Sequence, residues 1–263
     1  MISGATKVAA VIGWPVTHSR SPEMFAAAFA ATGLDAVMIP MGVPAEGLAA
    51  AVAGLRAMRA LGASITAPHK VAAHALCDRH SDAAAAIGAV NCLHLEGDAL
   101  VGHNTDSQGF VDGLRAAGCA PGHAVLLGAG GAARAVAYGL TDYEVVARRE
   151  VDWIAATPWS EIADAFARAD LVVDCTSMGL GPESADESQL LPLEALRPHV
   201  WVASLVYHRV TPLLVRAAAR GHRILDGRAM LVHQGARAFE LWTGRDAPVD
   251  AMRAALDAAL TRR

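Results

Sequence analysis

The chain runs to 263 residues, 54% hydrophobic and 18% charged. That is apolar material enough for one large core or two modest ones, and it excludes an intrinsically disordered chain. A net charge of −4 with signs interspersed excludes a nucleic-acid surface, and no apolar run reaches membrane-spanning length.

The four cysteines, Cys77, Cys92, Cys119 and Cys175, have no metal-like spacing and no CxxC. Reduced thiols in a cytoplasmic setting are expected. The first residues carry no secretory pattern, since only a short apolar strand follows Lys7. Eleven histidines include no HExxH, and no spacing among them makes a ligand set, so no metal is expected.

In chain order, residues 8–12 read as a buried strand stopped by Gly13 and Pro15. Ser21-Pro22 predicts a helix to about residue 32, with Ser21 as N-cap and Pro22 at the first helical position. A second strand is expected over 36–41, an amphipathic helix over 44–61, and a third strand over 63–66, stopped by Pro68. Short helical patterns fill 71–87. Residues 90–95 and 99–103 read as paired strands around Glu96-Gly97-Asp98. A helix follows over 107–118. Then strands at 124–127, 144–147, 171–174 and 200–206 alternate with helices at 132–140 and 159–169. That alternation predicts a parallel sheet with right-handed crossovers. Helices over 229–242 and 249–260 close the chain. The fold class is therefore α/β.

Three runs place polar side chains where short apolar strands stop. They are Gly62-Ala63-Ser64-Ile65-Thr66-Ala67-Pro68-His69-Lys70, Gly88-Ala89-Val90-Asn91, and Gly102-His103-Asn104-Thr105-Asp106. Strand ends are where catalytic groups collect in α/β proteins. A lysine and a carboxylate brought together there make a proton-transfer pair. The bland alternatives are a snorkelling Lys70 and an Asp106 that caps the next helix. A lysine at a helix start opposes the helix dipole unless a partner compensates.

Gly128-x-Gly130-x-x-Ala133 follows a predicted strand and opens a predicted helix, the context of a dinucleotide-binding turn. Gly128 permits the tight turn, Gly130 the approach of a pyrophosphate, and Ala133 close helix–strand packing. The next strand ends in Ala147-Arg148-Arg149, where a site for NAD wants a carboxylate. Two guanidiniums suit a 2′-phosphate, so NADP is expected, with NAD the alternative. A solvated basic turn is the plainer reading of the same arginines.

With Gly13-Trp14-Pro15-Val16-Thr17-His18-Ser19-Arg20-Ser21-Pro22 before these runs, and Met230-Leu231-Val232-His233-Gln234 and Phe239-Glu240-Leu241-Trp242-Thr243-Gly244 after them, the chain resembles the shikimate dehydrogenase family in family order over nearly its whole length. The resemblance implies a substrate-binding and catalytic domain over 1–105 and a Rossmann-type NADP domain over 106–235. It implies that C-terminal helices over 236–263 pack back on the first domain, with substrate in the cleft between domains. Lys70 and Asp106 become the catalytic pair. Ser19, Ser21, Thr66, Asn91, Tyr207 and Gln234 become the substrate contacts, with the two serines on a carboxylate and Gln234 on a ring hydroxyl. Gly128, Gly130, Gly131, Ala132, Arg148, Arg149, Thr176 and Met230 become the cofactor contacts. The implied reaction is NADP-dependent, reversible reduction of 3-dehydroshikimate to shikimate by a monomer or homodimer. The chain departs from the family pattern at Phe25-Ala26 (usually His-Asn), at Ser177 (usually Pro), at Ser204 (often Asp) and in a Tyr207–Thr211 loop one residue short. A quinate or aminoshikimate dehydrogenase and a non-catalytic binding homologue stay open as alternatives.

Overall fold

Two six-stranded sheets form among the described residues, which are 2–176, 178 and 187–262 of this computed structural model. Ser177 lies outside them. The chain divides into two units, Met1–Gly109 with Val232–Arg263, and Phe110–Leu231.

The first unit contains β1 (Lys7–Gly13), α1 (Ser21–Ala31), β2 (Ala36–Gly42), α2 (Leu48–Ala57), β3 (Gly62–Ile65), α3 (Lys70–His74), β4 (Arg79–His80), α4 (Asp82–Ile87), β5 (Cys92–Glu96) and β6 (Ala99–His103). The strand order is β2-β1-β3-β5-β6-β4. β1 is parallel to β2 and β3, β4 is parallel to β6, and β5 is antiparallel to both neighbours. Helix α5 (Asp106–Ala116) follows β6.

The sheet's register explains where the polar runs go. Ile12 pairs with Ile65, Ser64 with Cys92, and Cys92 with His103. The loop after β1, the turn after β3, the residue before β5 and the segment after β6 therefore all leave one edge of the sheet.

Apolar side chains of β1, β3, β5, β6 and α2 form one core of this unit, including Ile12, Ile65, Val52, Leu55, Leu93 and Leu100. Phe25 and Phe29 pack with Trp242 and Phe239 respectively, and the Trp242 indole donates to the Leu93 carbonyl at 3.0 Å. Phe25 is thus a core residue.

In the second unit the elements are β7 (Ala124–Leu127), α6 (Gly131–Tyr138), β8 (Tyr143–Ala147), β9 (Thr157–Pro158), α7 (Ile162–Arg168), β10 (Leu171–Asp174), β11 (Trp201–Ser204), α8 (Pro212–Ala219) and β12 (Arg223–Leu225). The order is β12-β11-β10-β7-β8-β9, and all pairings are parallel. β7 and β10 are buried throughout, as a sheet covered on both faces requires. Two helices complete the chain, α9 (Arg228–Thr243) and α10 (Val249–Thr261), and α10 packs on α1.

Several boundaries differ from the sequence expectations. Helix α1 begins at Ser21 itself, with Arg20 in the cap position and no side-chain cap. Ser21 is therefore not the N-cap; its own N–H donates to the Ser19 hydroxyl at 3.3 Å. Residues 44–61 hold a 3₁₀ turn and the shorter α2, closed by Arg59 at φ +50°. β11 stops at Ser204, so Tyr207 lies in the loop beyond it rather than at a strand end. Helix α8 and strands β4, β9 and β12 were not expected. The helix had a signal in Thr211-Pro212: the Thr211 hydroxyl accepts from the Leu214 N–H at 3.4 Å, with proline at the first turn.

Candidate active site

Lys70 is the first residue of α3, so its backbone sits at the sheet edge defined above. The turn before it is held twice: His69, buried, donates from Nε2 to the Val43 carbonyl at 2.7 Å, and the His69 N–H donates to Thr66 O. The Lys70 carbonyl accepts from the Val90 N–H at 2.8 Å, which ties this turn to the run ending in Asn91.

Asn91 is locked by its backbone, donating to the His103 carbonyl at 3.0 Å and accepting from the Ile65 N–H at 2.7 Å. Its side chain then organises the site. Asn91 Oδ1 accepts from the Thr105 N–H at 2.7 Å, and Nδ2 lies 2.9 Å from both Asp106 Oδ1 and Thr105 Oγ1, and 3.3 Å from Gln234 Oε1. An amide has two N–H donors, so the three acceptors share them and the longest contact is the weakest.

Asp106 is not the cap of α5. Its N–H donates to Asn104 Oδ1 at 3.2 Å, and the Gly109 N–H closes the first helical turn on Thr105 O. The carboxylate is thereby left to other partners. Oδ1 takes the Asn91 amide, and Oδ2 takes Lys70 Nζ at 2.7 Å. Asp106's side chain is 10% exposed and Lys70's 35%, so the pair has a buried acceptor and a donor that reaches solvent. Such charge-assisted bonds are short and contribute roughly 1.5–3 kcal/mol each.

Gln234 reaches this network because Gly109 has no side chain. A Cβ there would stand 2.5 Å from the Gln234 nitrogen and 2.7 Å from its Cα. Sequence reasoning missed Gly109, and the only signal was a glycine inside a helical pattern.

Thr66 leaves the same edge after β3, and Ser19 and Ser21 belong to the loop leaving β1. Among the described residues the hydroxyls of Ser21 and Thr66 make no hydrogen bond, and that of Ser19 only accepts, from Ser21. Three hydroxyl protons thus stay available to a ligand. Lys70, Asp106, Asn91 and Gln234 are joined by direct bonds; among the described residues no direct bond links the three hydroxyl residues to them.

In the second unit, Gly128 turns the chain at φ +89°, and a Cβ there would lie 2.9 Å from Thr176 Cγ2. Gly130 is the cap of α6. Among the described residues a Cβ on Gly130 or Gly131 would meet no atom within 4 Å, so open space lies over the first turn, where helix N–H groups lack intrahelical partners. Ala132 is exposed on that turn, and Ala133 is fully buried below it. A cavity of about 510 Å³ is lined by Gly128, Gly130, Arg148, Arg149, Trp159 and Thr176, among others.

Arg148 and Arg149 are exposed, and the Arg148 guanidinium lies 5.0 Å over the Trp159 ring. Trp159 was expected only as a helix start. Its ring face stacks under the guanidinium and so orients it. These features fit a dinucleotide phosphate and a 2′-phosphate. Tyr207 is half-buried in its loop with an edge-on contact to His208, and Met230 packs at the rim of the unit's core.

Asp174 was also missed. It ends β10 at 1% exposure, and its Oδ1 accepts from the Thr176 hydroxyl at 2.6 Å and the Thr176 N–H at 3.0 Å. Its Oδ2 has no hydrogen-bond partner among the described residues. Burial raises its pKa, against the lowering effect of the Thr176 bonds. Thr176 spends its hydroxyl proton on Asp174 and accepts from the Met178 N–H at 3.0 Å, so it offers the cavity its methyl face and an acceptor lone pair.

Known proteins resemble this chain over nearly its whole length. Residues 11–93 match the shikimate dehydrogenase substrate binding domain, and residues 227–256 match the shikimate 5′-dehydrogenase C-terminal domain. The chain is 43% identical to a shikimate dehydrogenase (NADP(+)) of Citrifermentans bemidjiense, over 99% of this chain and 98% of that one. Shikimate 5-dehydrogenase of Thermus thermophilus, solved with NADP(H) and shikimate, superposes with a TM-score of 0.87 at 34% identity, covering 97% of this chain and 100% of that one. Quinate dehydrogenase of Corynebacterium glutamicum, solved with NAD, superposes at 0.84 with 29% identity, over 96% and 99%.

Proposed function

The chain belongs to the shikimate dehydrogenase family, and we propose that it catalyses the NADP-dependent, reversible reduction of 3-dehydroshikimate to shikimate. The observation that carries this reading is the Lys70–Asp106 pair at 2.7 Å, anchored through Asn91 at a sheet edge where three hydroxyls still have protons to donate.

The Gly128–Gly131 turn would hold the dinucleotide phosphates and Arg148 and Arg149 the 2′-phosphate, and NADPH bound there would supply the hydride for the ring carbonyl carbon. Lys70 gives a proton to the oxygen that becomes the new hydroxyl, and takes it back in the oxidative direction. Asp106 orients the Lys70 ammonium and accepts from the neighbouring ring hydroxyl. Asn91 keeps Asp106 from rotating and, with Gln234 and Thr66, reads the other ring hydroxyls. Ser19 and Ser21 bind the substrate carboxylate, for which their free hydroxyl protons suit them. Tyr207 adds a substrate contact, while Ala132, Thr176 and Met230 line the cofactor's path. No described helix is long and apolar enough to cross a membrane, and the four cysteines are free, which suits a reducing cytoplasmic setting.

The test is turnover of shikimate and quinate, each with NADP and NAD, followed by the absorbance of the reduced nicotinamide. The highest kcat/KM is expected for shikimate with NADP. Preference for quinate would reassign the substrate. Saturable binding without turnover in any combination would make the chain a non-catalytic binding protein.

A further inference from the structure

Away from the Lys70 network, the β5–β6 hairpin gathers three metal-ligating side chains that no sequence spacing marks. His94 and Glu96 alternate along β5 and so share a face. On β6, Val101 is opposite His94, and His103 lies two residues further on the same face, diagonal to His94. One imidazole nitrogen from each histidine and one carboxylate oxygen of Glu96 all lie within 4.8 Å of one another.

Two buried nitrogens distinguish this cluster from an ordinary polar surface. His94 Nδ1 and His103 Nε2 are both buried, and neither has a hydrogen-bond partner among the described residues. Buried polar atoms without partners are rare, and two on one hairpin face call for a reason. Neighbouring side chains do not supply it. His94 Nδ1 is 3.8 Å from Glu96 Oε1, beyond hydrogen-bond range, and the two imidazole rings are 6.1 Å apart and tilted 40°, so they do not stack. Glu96 gives its other oxygen to Arg79 at 2.8 Å, which leaves Oε1 on the histidine side.

We propose that His94, Glu96 and His103 form a binding site for a divalent late first-row transition cation of the zinc type. Two imidazoles and one carboxylate are a common three-ligand set for such ions, with a fourth position open to water. The absence of thiolate, and the presence of only one carboxylate, argue against copper(I) and against magnesium or calcium. Metal–ligand bonds of about 2.0–2.2 Å need the donors closer than they now stand, which small side-chain rotations of the two half-buried histidines and the exposed Glu96 provide.

The site's place in the chain gives it a role. Asn91 immediately precedes β5, and Asn104–Asp106 immediately follow β6. A cation bridging the two strands cross-links the hairpin whose ends hold the Asn91 side chain against Asp106. It acts as a clamp on the folded unit and takes no part in proton transfer.

The test uses the full chain stripped of metal and titrated with Zn²⁺ alone, by calorimetry and by equilibrium dialysis with elemental analysis. One equivalent should bind, and the melting temperature should rise with Zn²⁺. H94Q and H103Q should each weaken binding by about 10–100-fold or more, the range reached by losing even an outer-shell partner, and abolish the thermal shift. An equivalent retained by the H94Q/H103Q double variant would place the cation elsewhere and overturn the proposal. If either variant folds poorly, nitrogen-detected spectra of the histidines in the unaltered chain decide. Zn²⁺ should move His94 Nδ1 and His103 Nε2, and shifts confined to other histidines would sink the site.

Discussion

The substrate unit and the dinucleotide unit solve the same problem, holding charge in place, by opposite means. In the first, Asp106 is nearly buried and both of its oxygens are engaged, by Asn91 and by Lys70. In the second, Arg148 and Arg149 stand exposed, and an aromatic face steers the one whose contact is seen. Buried, mutually satisfied polar groups are costly to disturb, whereas exposed charges lose much of their strength to solvent and salt. The comparison predicts large effects on chemistry from the first unit and modest, salt-dependent effects on cofactor choice from the second.

The largest effect should come from Lys70→Ala. Removing the proton donor should lower kcat by about 10²–10⁴-fold, the usual contribution of general acid–base catalysis. Shikimate binding, measured by calorimetry, should survive because the serines and Gln234 remain. A variant with undiminished kcat would remove Lys70 from the chemistry.

Next is Asn91→Ala, which breaks the network without touching the ion pair. The Thr105 N–H and Asp106 Oδ1 each lose a partner, and a buried polar group left unpaired costs about 1–3 kcal/mol. Denaturant unfolding should show a loss of that order, and kcat/KM should fall as Asp106 gains freedom. If kcat/KM drops while stability is unchanged, Asn91 serves substrate recognition rather than the positioning of Asp106.

On the exposed side, Arg148→Ala should reduce the NADP/NAD ratio of kcat/KM by roughly tenfold, the lower end for a charge-assisted contact, and less at high salt. Trp159→Ala should act in the same direction but more weakly, since it removes only the surface that aims the guanidinium. Equal ratios in the parent and both variants would detach this turn from the 2′-phosphate.

The same contrast decides what could be read from sequence. The polar runs ending at Lys70, Asn91 and Asp106 were legible because each follows a short apolar strand, and strand ends at one sheet edge converge. The parallel sheet of the second unit was legible from its strand–helix alternation. What stayed hidden depends on contacts between distant segments. Gly109 matters only because α9 brings the Gln234 backbone against it. His94 and His103 meet only through the hairpin register. Trp159 joins Arg148 across a gap of residues with no regular period. Ser21 misled because a serine before Pro22 is a usual cap, whereas here the helix already includes it.

Asp174 should give the smallest effect, and one that tests whether the dinucleotide unit also contains a buried charge of the first kind. Its carboxyl ends β10 almost without exposure, with Oδ1 doubly bonded to Thr176 and Oδ2 unpaired among the described residues. Burial raises its pKa in the folded state. The folded chain therefore holds this proton more tightly than the unfolded chain. The resulting stability is fully present below the unfolded carboxyl pKa, about 3.9, and is lost as pH rises through the folded value. Above that window the ionised group is a net cost. Asp174→Asn keeps an oxygen to accept from Thr176 and replaces a buried charge by a neutral amide. It should raise stability slightly at neutral pH, with the gain shrinking to near zero or reversing in acid. Denaturant unfolding of parent and variant at matched acidic and neutral pH measures that difference directly. A gain independent of pH would mean that packing, not ionisation, separates the two side chains. A loss at neutral pH would mean that the carboxylate has a partner there after all, and that this end of β10 is as fully satisfied as the Asn91 network.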